Sequence, residues 1–355
     1  MNYQLFFDLL DRLIRTPSFS KTEEHTAELL VDFFAGRGIR ANCHLNNVWV
    51  QNKYWQAGKP ILLLNSHHDT VRPVAAWTYD PFGATEIEDK IIGLGSNDAG
   101  ASLVALMATF LHFYDAKDLA FNLLFVASAE EEISGQNGIA AFLRSFEPIN
   151  MGIVGEPTQL KMAVAEKGLL VIDAQANGVA GHAARTNNVN AIYEALKDIQ
   201  WIQTHEFEQS SQWLGKVKMT VTQIEAGHQH NVVPDACRFV IDVRTNDCYS
   251  NQAVFEVLQN HTQAQLTARS FRLNSSGIDL QHPLARAGQA IGLTCIGSPT
   301  LSDQALMSFP TIKLGCGDSR RSHQADEFIH KAEIVAGIAT YVQLVERVDR
   351  LIGLG

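Results

Sequence analysis

The sequence has no excess of basic residues. Its 355 residues include 28 Lys and Arg against 38 Asp and Glu, which gives a net charge of -10. A charge of this sign repels the phosphate backbone of nucleic acids at long range. We therefore expect no nucleic-acid partner.

Paired cysteines and long apolar runs are also missing. The five cysteines are scattered and form no Cys-x-x-Cys pair, which argues against a disulfide framework or a thiolate metal site. The longest nearly apolar run, 99–111, contains Gly and Ser and falls well short of the roughly 20 residues that a membrane span needs. Residues 1–16 include two Asp and have no basic leader, unlike a signal peptide. These absences predict a cytoplasmic protein with no membrane partner.

Four apolar runs are typical of buried strands. They are Pro60 to Asn65, Phe121 to Ala127, Met151 to Val154 and Thr311 to Leu314. Helical stretches at 99–114 and 138–146 separate the middle runs, and this alternation predicts an α/β fold with a mainly parallel sheet. Near the N-terminus, the pattern Ser20-Lys-Thr-Glu23 resembles a capping box and predicts that the second helix begins there.

The pattern changes after residue 167. Alternating runs and helical stretches then follow in the order β-α-β-β-α-β, which predicts a ferredoxin-like α+β insert at 168–277. A chain of this length also exceeds the usual size of one compact core. We therefore predict a first domain formed by 1–167 and 278–355, interrupted by this insert.

Acidic and imidazole side chains follow the predicted buried strands. They are His67 and Asp69 after the first run, Glu130 to Glu132 after the second, Glu156 after the third and His323 beyond the fourth, with Asp98 before the helix at 99–114. Singly, each has an ordinary structural explanation, since acids favour helix N-termini and Asp98 could cap a helix. Open α/β sheets, however, build their sites at the carboxyl ends of strands. Together these groups would crowd like charges that only a cation could stabilise.

An ordered set of motifs resembles a known family across nearly the whole chain. The motifs are His67-His68-Asp69-Thr70-Val71, Gly95-Ser96-Asn97-Asp98, Glu130-Glu131-Glu132, Gly155-Glu156-Pro157-Thr158, Gly181-His182, Asn231-Val232-Val233-Pro234 with Asp242-Val243-Arg244, and His323 with Glu327. The set is similar to the zinc-dependent acylase and peptidase family that includes acetylornithine deacetylase, succinyl-diaminopimelate desuccinylase and carboxypeptidase G. Each motif is weak by itself, but their order along the chain is specific.

The resemblance implies a centre for two divalent metal ions. His67 and Glu156 would bind one ion, Glu132 and His323 would bind the other, and Asp98 would bridge both. Such a mixture of imidazole and carboxylate ligands suits zinc, and cobalt or manganese would also fit. The implied fold is a di-zinc peptidase-like catalytic domain with an inserted lid and dimerisation domain.

The resemblance also implies roles for residues that do not bind metal. Glu131 would be the general base, and Asp69 would orient His67 through a hydrogen bond. His182 would come from the partner subunit of a homodimer and stabilise the oxyanion. Two further residues, Asn231 and Arg244, would contact the substrate, with Arg244 suited to a bidentate grip on a carboxylate.

The predicted function is hydrolysis of the amide bond of a small N-acyl amino acid. We expect N2-acetyl-L-ornithine or N2-succinyl-L-ornithine as the substrate, in arginine biosynthesis. The alternatives are a succinyl-diaminopimelate desuccinylase, an acetylcitrulline or acetyl-lysine deacetylase, an aminopeptidase or dipeptidase, and an inactive binding protein of the same fold. A succinyl group would need a further cation, and the unplaced candidates are Arg72, Arg185, Arg320 and Arg321.

Overall fold

The chain divides into two compact units in a computed structural model that describes residues 1–353. The first unit comprises Met1–Val164, Gly277–Ile296 and the chain from Ser302 onward. The second comprises Ala165–Ser276 and Gly297–Leu301. The predicted roles of these parts, a catalytic domain and a lid or dimerisation domain, stay predictions.

The described residues form eight α-helices. The helices are α1 (Gln4–Ile14), α2 (Glu24–Ala35), α3 (Ala101–Phe113), α4 (Ile139–Ser145), α5 (Ala191–Thr204), α6 (Asn251–His261), α7 (Pro283–Ala290) and α8 (Lys331–Gly353). Within residues 1–353, none of them is both long enough and apolar enough to cross a membrane.

Eighteen strands complete the secondary structure of the described chain. The strands are β1 (Asn42–His44), β2 (Asn47–Gln51), β3 (Ile61–His67), β4 (Thr85–Ile87), β5 (Lys90–Ile92), β6 (Asn122–Ser128), β7 (Met151–Val154), β8 (Met162–Glu166), β9 (Gly168–Asn177), β10 (Gly181–His182), β11 (Lys218–Ala226), β12 (Val232–Val233), β13 (Ala236–Thr245), β14 (Gln265–Ala268), β15 (Ser276–Gly277), β16 (Cys295–Ser298), β17 (Thr311–Lys313) and β18 (Phe328–His330).

A mixed sheet organises the first unit. Its strands run in the order β1-β2-β6-β3-β7-β17-β8, and the four central strands β6, β3, β7 and β17 are parallel to one another. Every residue of β3, β6 and β7 is buried, as expected for a parallel sheet covered on both faces. Helix α3 is buried around most of its circumference. The predicted α/β fold with a mainly parallel sheet is therefore confirmed.

The second unit contains a four-stranded antiparallel sheet. The elements follow one another as β9-α5-β11-β13-α6-β14, and the strands lie in the order β11-β13-β9-β14. Buried and half-buried residues alternate along β9, because one face of the sheet packs on an apolar core shared with α5 and α6. This is the topology of the predicted ferredoxin-like insert.

The second helix begins later than the sequence predicts. Helix α2 starts at Glu24, and no side chain caps its N-terminus. The hydroxyl of Ser20 instead donates to Asp69 Oδ2 at 2.6 Å, and Glu23 Oε1 accepts the N–H of Lys21 at 2.8 Å. The prediction of a capping box was wrong because both polar side chains are used by other contacts.

Candidate metal centre

The sheet brings acidic and imidazole side chains to one edge. His67 is the last residue of β3, Glu131 and Glu132 follow β6, and Glu156 follows β7. These three strands are parallel, so their carboxyl ends meet at the same edge. Two groups of side chains offer ligand atoms that lie within 4.8 Å of one another: His67, Glu131 and Glu156, and His67, Asp98 and Glu132.

The Asp98 carboxylate lies between two imidazoles. Its Oδ1 is 3.4 Å from His67 Nε2, and its Oδ2 is 3.6 Å from His323 Nε2. Glu132 Oε2 lies 2.9 Å from the same nitrogen of His323. The two oxygens of Asp98 thus face the two halves of the cluster, which is the arrangement that a bridging carboxylate requires.

The other half of the cluster contains Glu131 and Glu156. Glu156 Oε1 is 3.8 Å from His67 Nε2, and Glu131 Oε2 is 3.9 Å from it. The residue expected to be the base therefore lies as close to His67 as the residue expected to be its fellow ligand. The assignment of Glu131 as a base outside the ligand set stays a prediction.

A buried nitrogen without a partner tests whether these residues fit a metal ion. His67 is 1 % exposed, and its Nε2 has no hydrogen-bond partner within residues 1–353. The side chains of the three carboxylates that face it, those of Asp98, Glu131 and Glu156, are at most 12 % exposed. Burying like charges together is costly unless a cation compensates them. A set of imidazole nitrogens and carboxylate oxygens suits a zinc-like ion, so the residues fit.

The electrostatics of the cluster indicate the same need. Burial raises the pKa of Glu156 from its usual 4.5 to about 8, and it raises that of Glu131 well above the usual range. Burial lowers the pKa of His67, but the carboxylates of Glu131, Asp69 and Asp98 outweigh this effect and raise it well above its ordinary value. The hydrogen bond with Glu132 raises the pKa of His323 to about 9. Without a cation, the cluster therefore retains protons at neutral pH.

Asp69 fixes the acidic turn as well as the histidine. Its backbone carbonyl lies 3.0 Å from His67 Nδ1, and its Oδ1 lies 3.4 Å from the same nitrogen. The two carboxylate oxygens also accept the N–H groups of Glu131 at 3.0 Å and of Glu132 at 3.2 Å. Asp69 therefore links β3 to the turn that follows β6, a second contact that sequence reasoning missed.

Glu327 has a comparable position next to Asp98. Its Oε1 accepts the N–H groups of Asn97 at 2.9 Å and of Asp98 at 2.8 Å. The side chain is buried, and burial raises its pKa to about 8. The sequence placed Glu327 in a motif with His323 without a role. In the structure, Glu327 holds the backbone of Asp98, whose bridging role stays a prediction.

Two further buried charged groups were missed entirely. Asp303 Oδ2 accepts the hydroxyl of Ser128, the last residue of β6, at 2.5 Å, and burial raises the pKa of Asp303 to about 7. Lys313 is buried in β17, and its positive charge partly offsets the effect of burial on the pKa of Glu156. Neither residue belongs to a recognisable motif, so the sequence carried no signal for them.

Two of the remaining predicted site residues, His182 and Asn231, belong to neighbouring segments of the second unit. His182 is exposed in β10, directly opposite Val232 of β12. The N–H of Ala183 donates to the carbonyl of Asn231 at 3.0 Å. The fold thus brings the His182 and Asn231 segments together, and their catalytic and substrate roles stay predictions.

Most of the arginines considered as candidates for binding a substrate carboxylate already contact an acid or an aromatic ring of their own unit. Arg244 of β13 forms a bidentate pair with Asp242, with distances of 2.8 and 3.1 Å. Three others are also engaged: Arg320 with Asp318 at 2.6 Å, Arg321 with Glu333 at 2.7 Å, and Arg72 with the face of the Phe19 ring at 4.7 Å. Arg185 is exposed in the second unit.

The chain is similar to known proteins over most of its length. The model of peptidase family M20/M25/M40 matches residues 63–347. Succinyl-diaminopimelate desuccinylase 2 of Ruegeria sp. is 25% identical over 312 residues, which cover 79% of this chain and 78% of that protein. An aminopeptidase PepT from Bacillus cereus has the same fold, with a TM-score of 0.78, 18% identity, and coverage of 98% of this chain and 99% of that one. A dinuclear metal-binding peptidase of the M20 family from Bacillus subtilis gives a TM-score of 0.74 at 16% identity, covering 98% of both chains.

Proposed function

The chain belongs to peptidase family M20/M25/M40 and is a metal-dependent hydrolase, and on this premise we propose that it hydrolyses the amide bond of a small N-acyl amino acid. One observation carries the proposal. The Asp98 carboxylate faces His67 with one oxygen and His323 with the other, among buried acids that need a cation. The alternative of an inactive binding protein is disfavoured by the presence of Glu131 and Asp69, since neither residue is needed merely to hold metal.

The proposed metal ligands divide into two sets that share one residue. His67 and Glu156 form one set, Glu132 and His323 form the other, and Asp98 belongs to both. When bound, a pair of divalent ions would polarise the scissile carbonyl and lower the pKa of water from 15.7 towards about 7. The Bacillus subtilis structure is described as dinuclear, which supports two ions here. Zinc is the proposed metal, with cobalt or manganese as alternatives.

Proton transfer is proposed for Glu131. It would take a proton from the attacking water and then give it to the leaving amine. Burial raises its pKa, and a general base works best when its pKa lies near the working pH. Asp69 would orient both the His67 ring and the backbone of Glu131 through the contacts described above.

For the substrate, the curated relatives favour N-succinyl-diaminopimelate over the acetylornithine that the sequence predicted. The Ruegeria protein is named a succinyl-diaminopimelate desuccinylase, and none of the relatives described above is named for acetylornithine. A succinyl group adds a carboxylate, which requires a further cation. We assign this role to Arg320, because it lies in the same turn as His323 and its side chain is 82% exposed; a substrate carboxylate would share the guanidinium with Asp318.

The second unit is proposed to complete the site from a neighbouring subunit. His182 would stabilise the oxyanion of the partner subunit's reaction, while Asn231 and Arg244 would contact the substrate. This proposal requires a homodimer with two equivalent sites. The exposure of His182 is compatible with such a contact.

A substrate screen tests the proposed function. The enzyme, stripped with a chelator and reloaded with zinc, cobalt or manganese, would be assayed with succinyl-diaminopimelate, succinyl- and acetylornithine, acetylcitrulline, acetyl-lysine and simple dipeptides. We expect metal-dependent release of succinate from succinyl-diaminopimelate at the highest kcat/KM. A preference for acetylornithine would reverse the choice of substrate. Cleavage of dipeptides alone would contradict the N-acyl amino acid proposal.

A further inference from the structure

Four successive backbone N–H groups of the acidic turn, residues 129–132, donate to side chains from distant parts of the first unit. Ala129 donates to Asn47 Oδ1 at 3.2 Å, Glu130 to Glu23 Oε1 at 3.1 Å, Glu131 to Asp69 Oδ1 at 3.0 Å and Glu132 to Asp69 Oδ2 at 3.2 Å. Asp69 follows β3, Asn47 is the first residue of β2, and Glu23 directly precedes α2. The turn is therefore fixed by three separate segments in addition to its own local hydrogen bonds.

Glu23 is an unexpected member of this set. Its side chain is only 1% exposed, and its carboxylate also accepts the Lys21 N–H at 2.8 Å and the Asn46 amide at 3.1 Å. Within residues 1–353, no Lys, Arg or His forms an ion pair with it. Burying an acid in an already acidic region is unfavourable unless the hydrogen bonds that it accepts compensate. Among them, the hydrogen bond from the Glu130 N–H connects the start of α2 to the acidic turn.

The turn has a conformation that needs such support. Glu130 has a φ of 53°, in the left-handed region that side chains rarely adopt. The Glu130 carboxylate closes the turn by accepting hydrogen bonds from the backbone N–H and the side-chain amide of Asn137. Gly135 packs against this carboxylate so closely that a Cβ at position 135 would lie 1.9 Å from Glu130 Oε2. A strained backbone of this kind persists only where its surroundings fix it. The Glu130 N–H, bound by Glu23, directly precedes Glu131.

We propose that Glu23 is a positioning residue for the reaction. Its carboxylate fixes the Glu130 amide and thereby sets the direction in which the adjoining Glu131 side chain points, whereas Glu132 is held separately by Asp69 and His323. Glu23 itself touches neither substrate nor metal. The inference rests on the proposed role of Glu131 as the base, because it is the placement of that base that Glu23 controls.

Three substitutions of Glu23 separate its hydrogen bonds from its charge and length. Glu23→Ala leaves the Glu130 amide unpaired and should lower kcat by about 10- to 100-fold, since displacing a reacting group by 1 Å can cost about 10²-fold. Glu23→Asp withdraws the oxygens by one methylene and should lower kcat in the same direction. Glu23→Gln keeps an oxygen for both N–H groups and loses only the hydrogen bond from the Asn46 amide, so it should restore kcat to within about threefold of the wild type. KM and metal content should remain unchanged in all three variants.

Two control variants distinguish positioning from general destabilisation. Glu24→Ala removes the exposed neighbouring acid and should leave kcat unchanged. Leu30→Ala removes a fully buried side chain from the same helix and should lower the melting temperature without lowering kcat well below that temperature. Wild-type kcat in both Glu23→Ala and Glu23→Asp would overturn the inference. So would equal losses in Glu23→Gln and Glu23→Ala, or a loss of kcat in Leu30→Ala as large as that in Glu23→Asp.

The parallel variant Glu131→Ala separates this inference from the proposed function. If Glu131→Ala is inactive while the Glu23 variants are normal, only the positioning role is wrong. If Glu131→Ala turns over normally, the base has been misassigned and the role of Glu23 is overturned with it. If Glu131→Ala is inactive and only Glu23→Gln retains activity among the Glu23 variants, both proposals are supported.

Discussion

The two units of the chain differ in the clusters of acidic side chains that they bury. The first unit buries several acids near one another, and Asp69, Glu130 and Glu327 are each no more than 5% exposed. In the second unit, Arg269 and Asp173 form a pair at 2.7 Å on the surface, where their side chains are 54% and 49% exposed. Clusters of buried like charges cost stability and are common at functional sites. This difference in burial indicates that the catalytic chemistry belongs to the first unit.

Burial of a single acid is a weaker indication. Asp198 of the second unit is 4% exposed and accepts the N–H groups of Gln263 and Ala264. These amides join a helix to a strand and lead to no cluster of acids. Glu23 and Glu327 have the same type of contact, but the amides that they bind belong to segments carrying Glu131 and Asp98. The function of a buried carboxylate therefore depends on the segment that it fixes.

The largest effect should come from removing the proposed base. Glu131→Ala should retain its two metal ions yet lose about 10²- to 10⁴-fold in kcat, the range of general acid-base catalysis. The exposed Glu147→Ala serves as the control and should behave like the wild type. Steady-state kinetics and metal analysis on the same samples measure both quantities. Near-normal turnover by Glu131→Ala would refute the assignment.

A catalytic contribution from His182 would restrict the contrast between the units to their buried acids. His182→Ala should lose about 10²- to 10³-fold in kcat, as expected for an oxyanion donor. Mixing this variant with Glu131→Ala under subunit exchange should restore activity, because one site of each mixed dimer, about half of its sites, carries both residues. No recovery despite proven exchange, or a strictly monomeric active enzyme, would show that His182 does not act across subunits.

The stabilisation by metal should depend on pH in a defined direction. In the metal-free protein, burial raises the pKa of Glu156 from 4.5 to about 8 and that of Glu327 to about 8. A raised folded-state pKa contributes stability below the unfolded value, and this contribution is lost as pH rises through the folded value. The melting temperature of the chelator-treated protein should therefore fall between about pH 5 and 8.

Metal ions compete with the protons at these carboxylates, so the metal-loaded protein should be less sensitive to pH. The difference in melting temperature between loaded and stripped protein should thus widen as pH rises. Thermal unfolding at several pH values, with and without zinc, measures this difference. A gap that narrows towards pH 8 would mean that the acids are not neutralised by metal.

The smallest effect should come from breaking a surface pair of the second unit. Arg269→Ala removes the contact with Asp173, and exposed pairs of this kind contribute about 0.2–1 kcal/mol. Denaturant unfolding should show a shift within this range, and kcat should not change. A large loss of activity in Arg269→Ala would mean that the charge pairs of the second unit also serve the reaction.

The strands and the acids that follow them could be predicted from sequence because both are local features. The run Phe121 to Ala127 is apolar except for Asn122, so a buried strand was expected, and the observed strand is Asn122–Ser128. The acids come directly afterwards, so their position at the sheet edge follows from the strand itself. His323 was harder to place by local pattern, since a turn separates it from β17, and the family resemblance supplied it.

The contacts that fix the acids could not be predicted, because they join residues far apart in sequence. Glu23 and Glu130 are separated by 107 positions, and Glu327 and Asp98 by 229. A local pattern at Ser20 to Glu23 even predicted the wrong use of these side chains. Long-range hydrogen bonds to the acidic turn and to Asp69 replaced the capping box that local propensity favoured.

The central claim, that Asp98 joins two metal sites in the first unit, is tested most directly by counting metal ions in the purified protein. Elemental analysis of the wild type loaded with zinc should give two ions per chain. Asp98→Ala should lose metal from both sites, whereas His323→Ala should mainly lose one ion, because Asp98 faces His67 with one oxygen and His323 with the other. Two tightly bound ions in Asp98→Ala, or an active wild type with no metal, would contradict the account.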